Sequence, residues 1–276
     1  MRCNLKTSIY IACHKPYWIS THSNYKSLHV GAVCSKWEGG SLRDDTGNNI
    51  SIKNNNFCEL TGLYWIWKND TTSDIIGLCH YRRYFAFLAD KITGFPGVRD
   101  VIAGYDSQDE INKIVSPVCL DEYLNKYDVI VPIPVKFKVS LEEHYCNNHI
   151  TDDWNMMKKA VSKLFPEYNS SMEACFAGKW FYPYNMFIMR RALFEEYMSW
   201  LFLILDEVEK NININKDPYQ ARVFGFLSER LFNLFVYHKQ LKKKEIPIVF
   251  IDEEKQGITY KKKRLRSMIK DLKNLF

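Results

Sequence analysis

Short apolar runs alternate along the chain with longer stretches whose apolar residues recur at the helical period. The runs cover residues 8–13, 74–79, 127–132, 184–189 and 246–251. Each is bounded by polar residues or proline, the pattern of a strand buried on both faces. Between them, Asn54, Asn55 and Asn56 cap an amphipathic stretch that predicts one helix to Trp67. Ser140-Leu141-Glu142-Glu143 has the form of a capping box. Thr151-Asp152-Asp153-Trp154 opens another helix, with acids in the first turn where the dipole favours them. Residues 192–210 read as a long amphipathic helix, and Asp217-Pro218 predicts a further one to about Lys239, with proline at its first position. Residues 86–117 have weak periodicity and read as an excursion. Strands alternating with helices predict an α/β layered fold with a mostly parallel central sheet. The simplest parse is one domain over residues 1–252 and a C-terminal extension over 253–276.

Composition narrows the class. The 276 residues are 46% hydrophobic, 25% charged and 15% aromatic, which suits a globule and excludes a wholly disordered chain. No apolar run approaches the roughly 18 residues of a spanning helix. The longest, residues 200–205, is cut by Asp206 and Glu207. Arg2 and Lys6 precede an apolar stretch too short for a signal peptide, followed at once by His14 and Lys15. A cytoplasmic protein is expected. The eight cysteines include no C-x-x-C pair and several sit in apolar strands, as reduced buried thiols do.

The charge is uneven. Residues 239–276 hold 12 of the 38 Lys and Arg but 5 of the 32 Asp and Glu, a net of +7, which leaves −1 for the rest. A neutral body argues against a nucleic-acid-binding fold, where a basic face spreads through the domain. In the tail, Leu265, Met268, Ile269, Leu272, Leu275 and Phe276 fall on one helical stripe with lysines opposite. Such a basic amphipathic helix lies on an anionic membrane surface or packs on the body with a solvated basic face.

G-x-G-x-x-G, Walker, G-x-S-x-G and H-E-x-x-H signatures are all absent, and none of the sixteen Asp residues forms a D-x-D. Four dense segments remain. Ala12-Cys13-His14-Lys15-Pro16 ends the first strand, and open α/β sheets bind ligands at strand carboxyl ends. Residues 42–51, with Arg43, Asp44 and Asp45, are either a site loop or a surface turn. His80-Tyr81-Arg82-Arg83-Tyr84-Phe85 follows an apolar strand, and arginine forks match phosphate oxygens bidentately; the alternative is pairing with nearby carboxylates. His144, His149, Asp152, Asp153 and Trp154 offer acid–base groups and a ring to stack on a sugar, or plain helix capping. A metal site of His144, His149 and Asp153 is only weakly signalled, since the His-x4-His pair has no third ligand at diagnostic spacing.

Together these segments resemble a bacterial family found in capsule, exopolysaccharide and O-antigen gene clusters, long carried as a domain of unknown function and assigned to glycosyltransferases. The matching strings are Tyr10-Ile11-Ala12-Cys13-His14-Lys15-Pro16-Tyr17-Trp18, Leu42-Arg43-Asp44-Asp45-Thr46-Gly47-Asn48-Asn49-Ile50-Ser51, Phe57-Cys58-Glu59-Leu60-Thr61-Gly62-Leu63-Tyr64-Trp65 and Ile76-Gly77-Leu78-Cys79-His80-Tyr81-Arg82-Arg83-Tyr84-Phe85. Tyr184-Asn185-Met186-Phe187-Ile188-Met189 and Arg222-Val223-Phe224-Gly225-Phe226-Leu227-Ser228-Glu229-Arg230-Leu231 complete them, in order through most of the chain.

The resemblance implies a GT-A-like domain that moves a hexose, galactose or galactofuranose favoured, from a UDP-sugar to a surface-polysaccharide or lipid-linked acceptor. The missing D-x-D departs from the usual GT-A pattern and puts a divalent cation in doubt. Donor binding is expected of Ala12, His14, Lys15, Arg43, Asp44, Asp45, His80, Arg82 and Arg83. Acceptor binding is expected of His144, Trp154, Asn185 and Arg230. Arg82 and Arg83 would stabilise the leaving diphosphate, and Glu229 or Asp153 would be the base of an inverting enzyme, with pairing of Glu229 to Arg230 or Arg222 as the structural alternative. The tail would hold the protein on the inner face of the cytoplasmic membrane. Two rivals stay open: a non-catalytic module docking on anionic membrane or nucleic acid through the tail, and a metal hydrolase using Asp44, Asp45 and the histidines.

Overall fold

The computed structural model describes residues 5–89, 98–118 and 120–262. Its strands form an eleven-stranded sheet, with seven at the centre. β1 (Thr7–Cys13) lies between β2 (Tyr25–His29) and β4 (Ile75–His80), parallel to both, and β3 (Leu42–Arg43) extends β2 in parallel. On the other side of β4, β10 (Phe187–Arg190) runs antiparallel to it and to β7 (Val129–Pro132), and β11 (Lys243–Ile246) lies parallel to β7. Only β10 opposes the common direction, so the expected mostly parallel sheet is the observed one. A two-residue turn after β4 leads to β5 (Arg83–Phe85), which begins a second wing with β12 (Ile248–Asp252), β6 (Val98–Gly104) and β13 (Ile258–Lys262). β8 (Val135–Lys136) and β9 (Trp180–Phe181) form a separate hairpin.

The two-residue period of the strands divides the core. Tyr10, Ile76, Leu78, Val129, Val131, Phe187 and Met189 face one way. That face is covered by α2 (Leu60–Asn69), α6 (Thr151–Leu164), α8 (Arg191–Glu209) and α9 (Val223–His238), with α1 (Asn54–Phe57), α5 (Leu141–Asn148) and α7 (Asn169–Ala177) around them. Ile9, Ile11, Ile75, Cys79, Ile130 and Ile188 face the other way, towards β5, β6, β12, α3 (Gln108–Ile114) and α4 (Leu120–Lys126). Burial on both faces is why the strands read as apolar runs and not as alternating sequence.

Several boundaries differ from the sequence expectation, each for a local reason. The helix expected to reach Trp67 is two, because Cys58 takes φ 52° and ψ −132° between α1 and α2. The strand expected from Tyr184 starts at Phe187, because Tyr184 and Asn185 take φ of 75° and 50°. Asp217 does not open a long helix. Its Oδ1 accepts from the Tyr219 and Gln220 amides, closing a short 3-10 turn at Gln220–Arg222 before α9 begins. The run 246–251 is divided by Pro247, which has no N–H to donate, so β11 joins β7 while β12 crosses to β5 and β6. The excursion contains β6 and α3. The boundary expected at 252 is crossed by the sheet, since β13 pairs with β6 through Lys262. The expected basic amphipathic helix lies, from residue 263 on, outside the described residues. Among the described residues no helix is long and apolar enough to cross a membrane.

Candidate active site

The registers bring the carboxyl ends of the parallel strands into line: Ala12 pairs with His80 and Cys13 with His29. There the chain leaves a cavity of about 1020 Å³. Ala12 and His14 line it from β1, Val30 from β2, and His80, Tyr81, Arg82 and Arg83 from the β4–β5 hairpin. The far wall is Cys58 and Glu59 between α1 and α2, Tyr184 before β10, and Arg222 and Glu229 at the start of α9.

Three guanidiniums meet at this cavity. The Cζ of Arg83 stands 4.5 Å from the Tyr184 ring centre and 5.8 Å from that of Phe250, and its Nε is buried without a hydrogen-bond partner. The Cζ of Arg82 lies 5.3 Å from the Tyr81 ring. Arg222 donates through Nε to Cys58 Sγ at 3.2 Å. Among the described residues the arginine ion pairs belong instead to Arg43, Arg191 and Arg230. The cavity therefore holds guanidiniums that form no contact ion pair among the described residues, a setting for an anion with several oxygens.

Two imidazoles stand beside them, each with its pKa lowered. Burial drives the His80 pKa down to about 4, and its Nε2–H donates to the Tyr184 carbonyl at 2.7 Å. Burial, then the charges of Lys15 and Arg82, pulls the His14 pKa below its ordinary value. The two carboxylates differ in commitment. Glu229 accepts from the Tyr184 amide at 2.6 Å through Oε1 and pairs through Oε2 with Arg230 at 2.9 Å. Glu59 accepts on Oε1 from Asn185 Nδ2 at 2.7 Å, and the same amide donates to Ser228 Oγ at 2.9 Å. Burial raises both carboxyls above the ordinary value.

The family model of DUF4422, a domain of unknown function, matches residues 8–240. The chain belongs to the DUF4422 family. No curated protein matches it. Among solved structures, this DUF4422 domain is similar to the apo form of the bifunctional glycosyltransferase WbbM, with 32% identity and a TM-score of 0.82 over 91% of this chain. It spans 46% of that protein, about half its length. The GT-A-like α/β fold expected from the resemblance is thus the fold observed.

Of the expected site residues in the DUF4422 chain, Ala12, His14, His80, Arg82, Arg83 and Glu229 line the cavity. The others do not. Lys15 is half-buried and pairs with Glu253 at 3.3 Å. Asp44 is fully buried and takes four hydrogen bonds from the protein: Gly31 N, Ala32 N, Ser51 Oγ and Thr61 Oγ1. It ties the ends of β2 and β3 to α2 and cannot also hold a ribose. Asp45 is occupied by Arg43, through Nε at 3.1 Å and Nη2 at 2.7 Å. Trp154 is fully buried between Tyr145 and Phe176, so it offers no face to a sugar. His144 stacks on Phe137, and Arg230 is buried between the Tyr145 and Phe181 rings. Asn185 is buried and reaches the site through Glu59. His149 stacks on Phe226, and its Nδ1 meets Gln220 Oε1. The metal-hydrolase reading fails on these partners: both Asp44 oxygens are taken, Asp45 is paired, and no group of three His, Cys, Asp or Glu among the described residues is arranged to hold a metal.

Asp153 lies in the first turn of α6, away from the cavity, 7% exposed. Burial, then Asp152, raises its carboxyl to about 6. A raised folded-state pKa means that its stabilising contribution is complete below the ordinary value of about 3.9 and is lost as pH rises through about 6. Asp153→Asn is therefore expected to stabilise the protein at pH 8 by about 1–2 kcal/mol, with the gain shrinking towards pH 4. Thermal melts across that range check it. An equal gain at both ends, or none at pH 8, would show that burial of the charge is not the cause.

Sequence reasoning missed Glu59, Arg222, Tyr184 and the asparagines of α1. A signal for Glu59 existed: a carboxylate between Cys58 and Leu60, inside a stretch read as one amphipathic helix. Arg222 had none, because the turn that brings residues 214–222 over the cavity is set by tertiary contacts.

Proposed function

We propose that this protein is a glycosyltransferase that moves a hexose from a UDP-sugar, galactose or galactofuranose favoured, to a growing surface-polysaccharide or lipid-linked acceptor. The observation that carries the reading is the cavity at the ends of β1, β2 and β4, walled by three arginines without carboxylate partners, in a chain 32% identical to a bifunctional glycosyltransferase. Negative charge develops on the leaving diphosphate as the sugar–oxygen bond breaks. Cationic donors already aimed at that oxygen stabilise it without reorganising. Arg83 is preorganised in this sense, clamped over Tyr184 and Phe250 with an unmet Nε–H. Arg82 at the hairpin tip and Arg222 opposite complete the set. The sugar then lies towards Tyr184, Glu59 and Glu229, the side from which an acceptor hydroxyl approaches. The basic tail supplies attraction to the anionic inner-membrane surface where lipid-linked acceptors reside.

The test is incubation of purified protein with UDP-, GDP- and dTDP-hexoses, following release of nucleoside diphosphate and the thermal shift on donor binding. UDP-hexose is expected both to stabilise the protein and to be turned over. Neither a shift nor release with any sugar nucleotide would favour the rival reading, a non-catalytic docking module.

A further inference from the structure

We infer that Glu59 is the carboxylate that takes the proton from the attacking acceptor hydroxyl. The inference rests on the glycosyltransferase reading and assigns its base. Glu229 is the obvious carboxylate of the cavity, but both its oxygens already hold partners: one fixes the Tyr184 amide, the other is paired with a buried arginine. Protonating Glu229 would break that pair inside the core. Glu59 faces the same cavity and is half-buried. Its Oε1 is oriented by Asn185, and its Oε2 takes no hydrogen bond from another described residue. A carboxylate positioned by a neighbouring amide and facing the cavity is what a general base requires.

Backbone strain converges on the same side chain. Among the described residues, non-glycine positive φ occurs at Cys58, Tyr184, Asn185 and Gln240. Three of these four surround Glu59. Cys58 immediately precedes it, in a conformation (φ 52°, ψ −132°) that ordinarily requires glycine. Asn185 donates to it, and Tyr184 lines the same cavity. The rest of the fold makes room for the strained turn: a Cβ on Gly225 of α9 would stand 3.2 Å from Cys58 Sγ. A relaxed residue 58 would let α1 run into α2 as one helix, the arrangement the sequence predicts, and would turn Glu59 away from Asn185. Strain that persists at a ligand cavity marks a position held for function.

The step is a single displacement. Glu59 accepts the hydroxyl proton, and the hydroxyl oxygen forms the bond to the anomeric carbon. The bond from that carbon to the diphosphate oxygen breaks with its electron pair, and the nucleoside diphosphate leaves among Arg82, Arg83 and Arg222. The proton on Glu59 then passes to water. Groups facing Glu59 are Arg83 on β5, Arg222 before α9, Glu229 on α9, Tyr197 on α8 and Cys58 beside it. Burial outweighs the arginines and holds the Glu59 carboxyl above its ordinary value. Turnover should therefore fall on the acid side as that carboxyl protonates.

The test is Glu59→Gln, which keeps the side chain's shape and an oxygen for Asn185. Expected are a kcat reduced about 100-fold or more, loss of the acid limb in the kcat–pH profile, and unchanged UDP affinity and melting temperature. A kcat within about threefold of wild type, or a loss confined to donor affinity, overturns the assignment. If Glu59→Gln melts early, Glu59→Asp decides: a base withdrawn by one methylene lowers kcat about tenfold or more and keeps an acid limb, whereas unchanged kcat overturns it. Wild-type protein that turns over no sugar nucleotide removes the glycosyltransferase reading itself, a result distinct from failure of the Glu59 variants.

Discussion

Arg83→Lys is expected to lower kcat/KM for the sugar nucleotide by about 100-fold, equivalent to about 2.7 kcal/mol of transition-state stabilisation. Arg82→Lys should cost less. The difference follows from how each guanidinium is held. Arg83 opens β5, its plane confined by the Tyr184 and Phe250 rings, and its buried Nε has no other partner. A lysine there keeps the charge but loses the fork, and its strongly hydrated ammonium is a poor substitute between two rings. Arg82 is exposed at the hairpin tip, so solvent screens part of its interaction and a lysine reaches similar positions. Both substitutions should act mainly on donor binding and turnover and change the melting temperature little, since neither arginine is in an ion pair among the described residues. Steady-state kinetics with the donor varied, beside thermal melts, measure both. Wild-type kinetics in the two Lys variants would remove the arginines from the diphosphate site.

Asp44→Ala should lower the melting temperature by about 10 °C, a loss of about 3–4 kcal/mol. Each Asp44 oxygen accepts two hydrogen bonds: Ala32 N and Ser51 Oγ on Oδ1, Gly31 N and Thr61 Oγ1 on Oδ2. Truncation strands two amides and two hydroxyls in a fully buried place, and stranded donors cost their whole desolvation penalty. Asp44→Asn should fare little better, because its amide nitrogen must oppose two donors where an acceptor is needed. Thermal or denaturant melts of the two variants give the loss, and donor kinetics on the folded fraction should match wild type. A selective loss of donor affinity with unchanged stability would return Asp44 to the binding site.

These two residues show how a sequence string hides its division of labour. Arg43-Asp44-Asp45 and His80-Tyr81-Arg82-Arg83 are equally dense in charge, and both follow strands. In the first, every charge finds a partner within the loop or the buried knot below it. In the second, Arg82 sits in a two-residue turn and Arg83 opens the next strand, and both line the cavity. Local composition does not distinguish these outcomes, because the distinction is whether a complementary group from elsewhere in the chain arrives within hydrogen-bond distance. Trp154 is a related case. Its helix was legible from the acids of the first turn, but the face carrying the ring packs against Tyr145 and Phe176.

What the sequence alone determined is whatever depends on near neighbours along the chain. Apolar runs bounded by polar residues marked β1, β4, β7 and β10, and Ser140 caps α5 as its spacing to Glu143 predicts, through the Glu143 amide at 3.1 Å. Strand–helix alternation marked a mostly parallel α/β sheet, and the carboxyl ends of β1 and β4, where such sheets bind ligands, are where the cavity opens. The tertiary structure alone decided the rest. The break at Cys58 lies in a sequence that otherwise favours one continuous helix, and Asn185, Arg222 and Gly225, over a hundred positions away, lie against the broken turn. Pro247 divides one apolar run between two wings because the edges waiting for its halves, β7 and β5, lie apart in space. Glu59 and Glu229 look alike as letters. Both line the cavity, but one fixes the Tyr184 amide and pairs with Arg230 while the other is held by Asn185, because bonds from distant segments position each carboxylate.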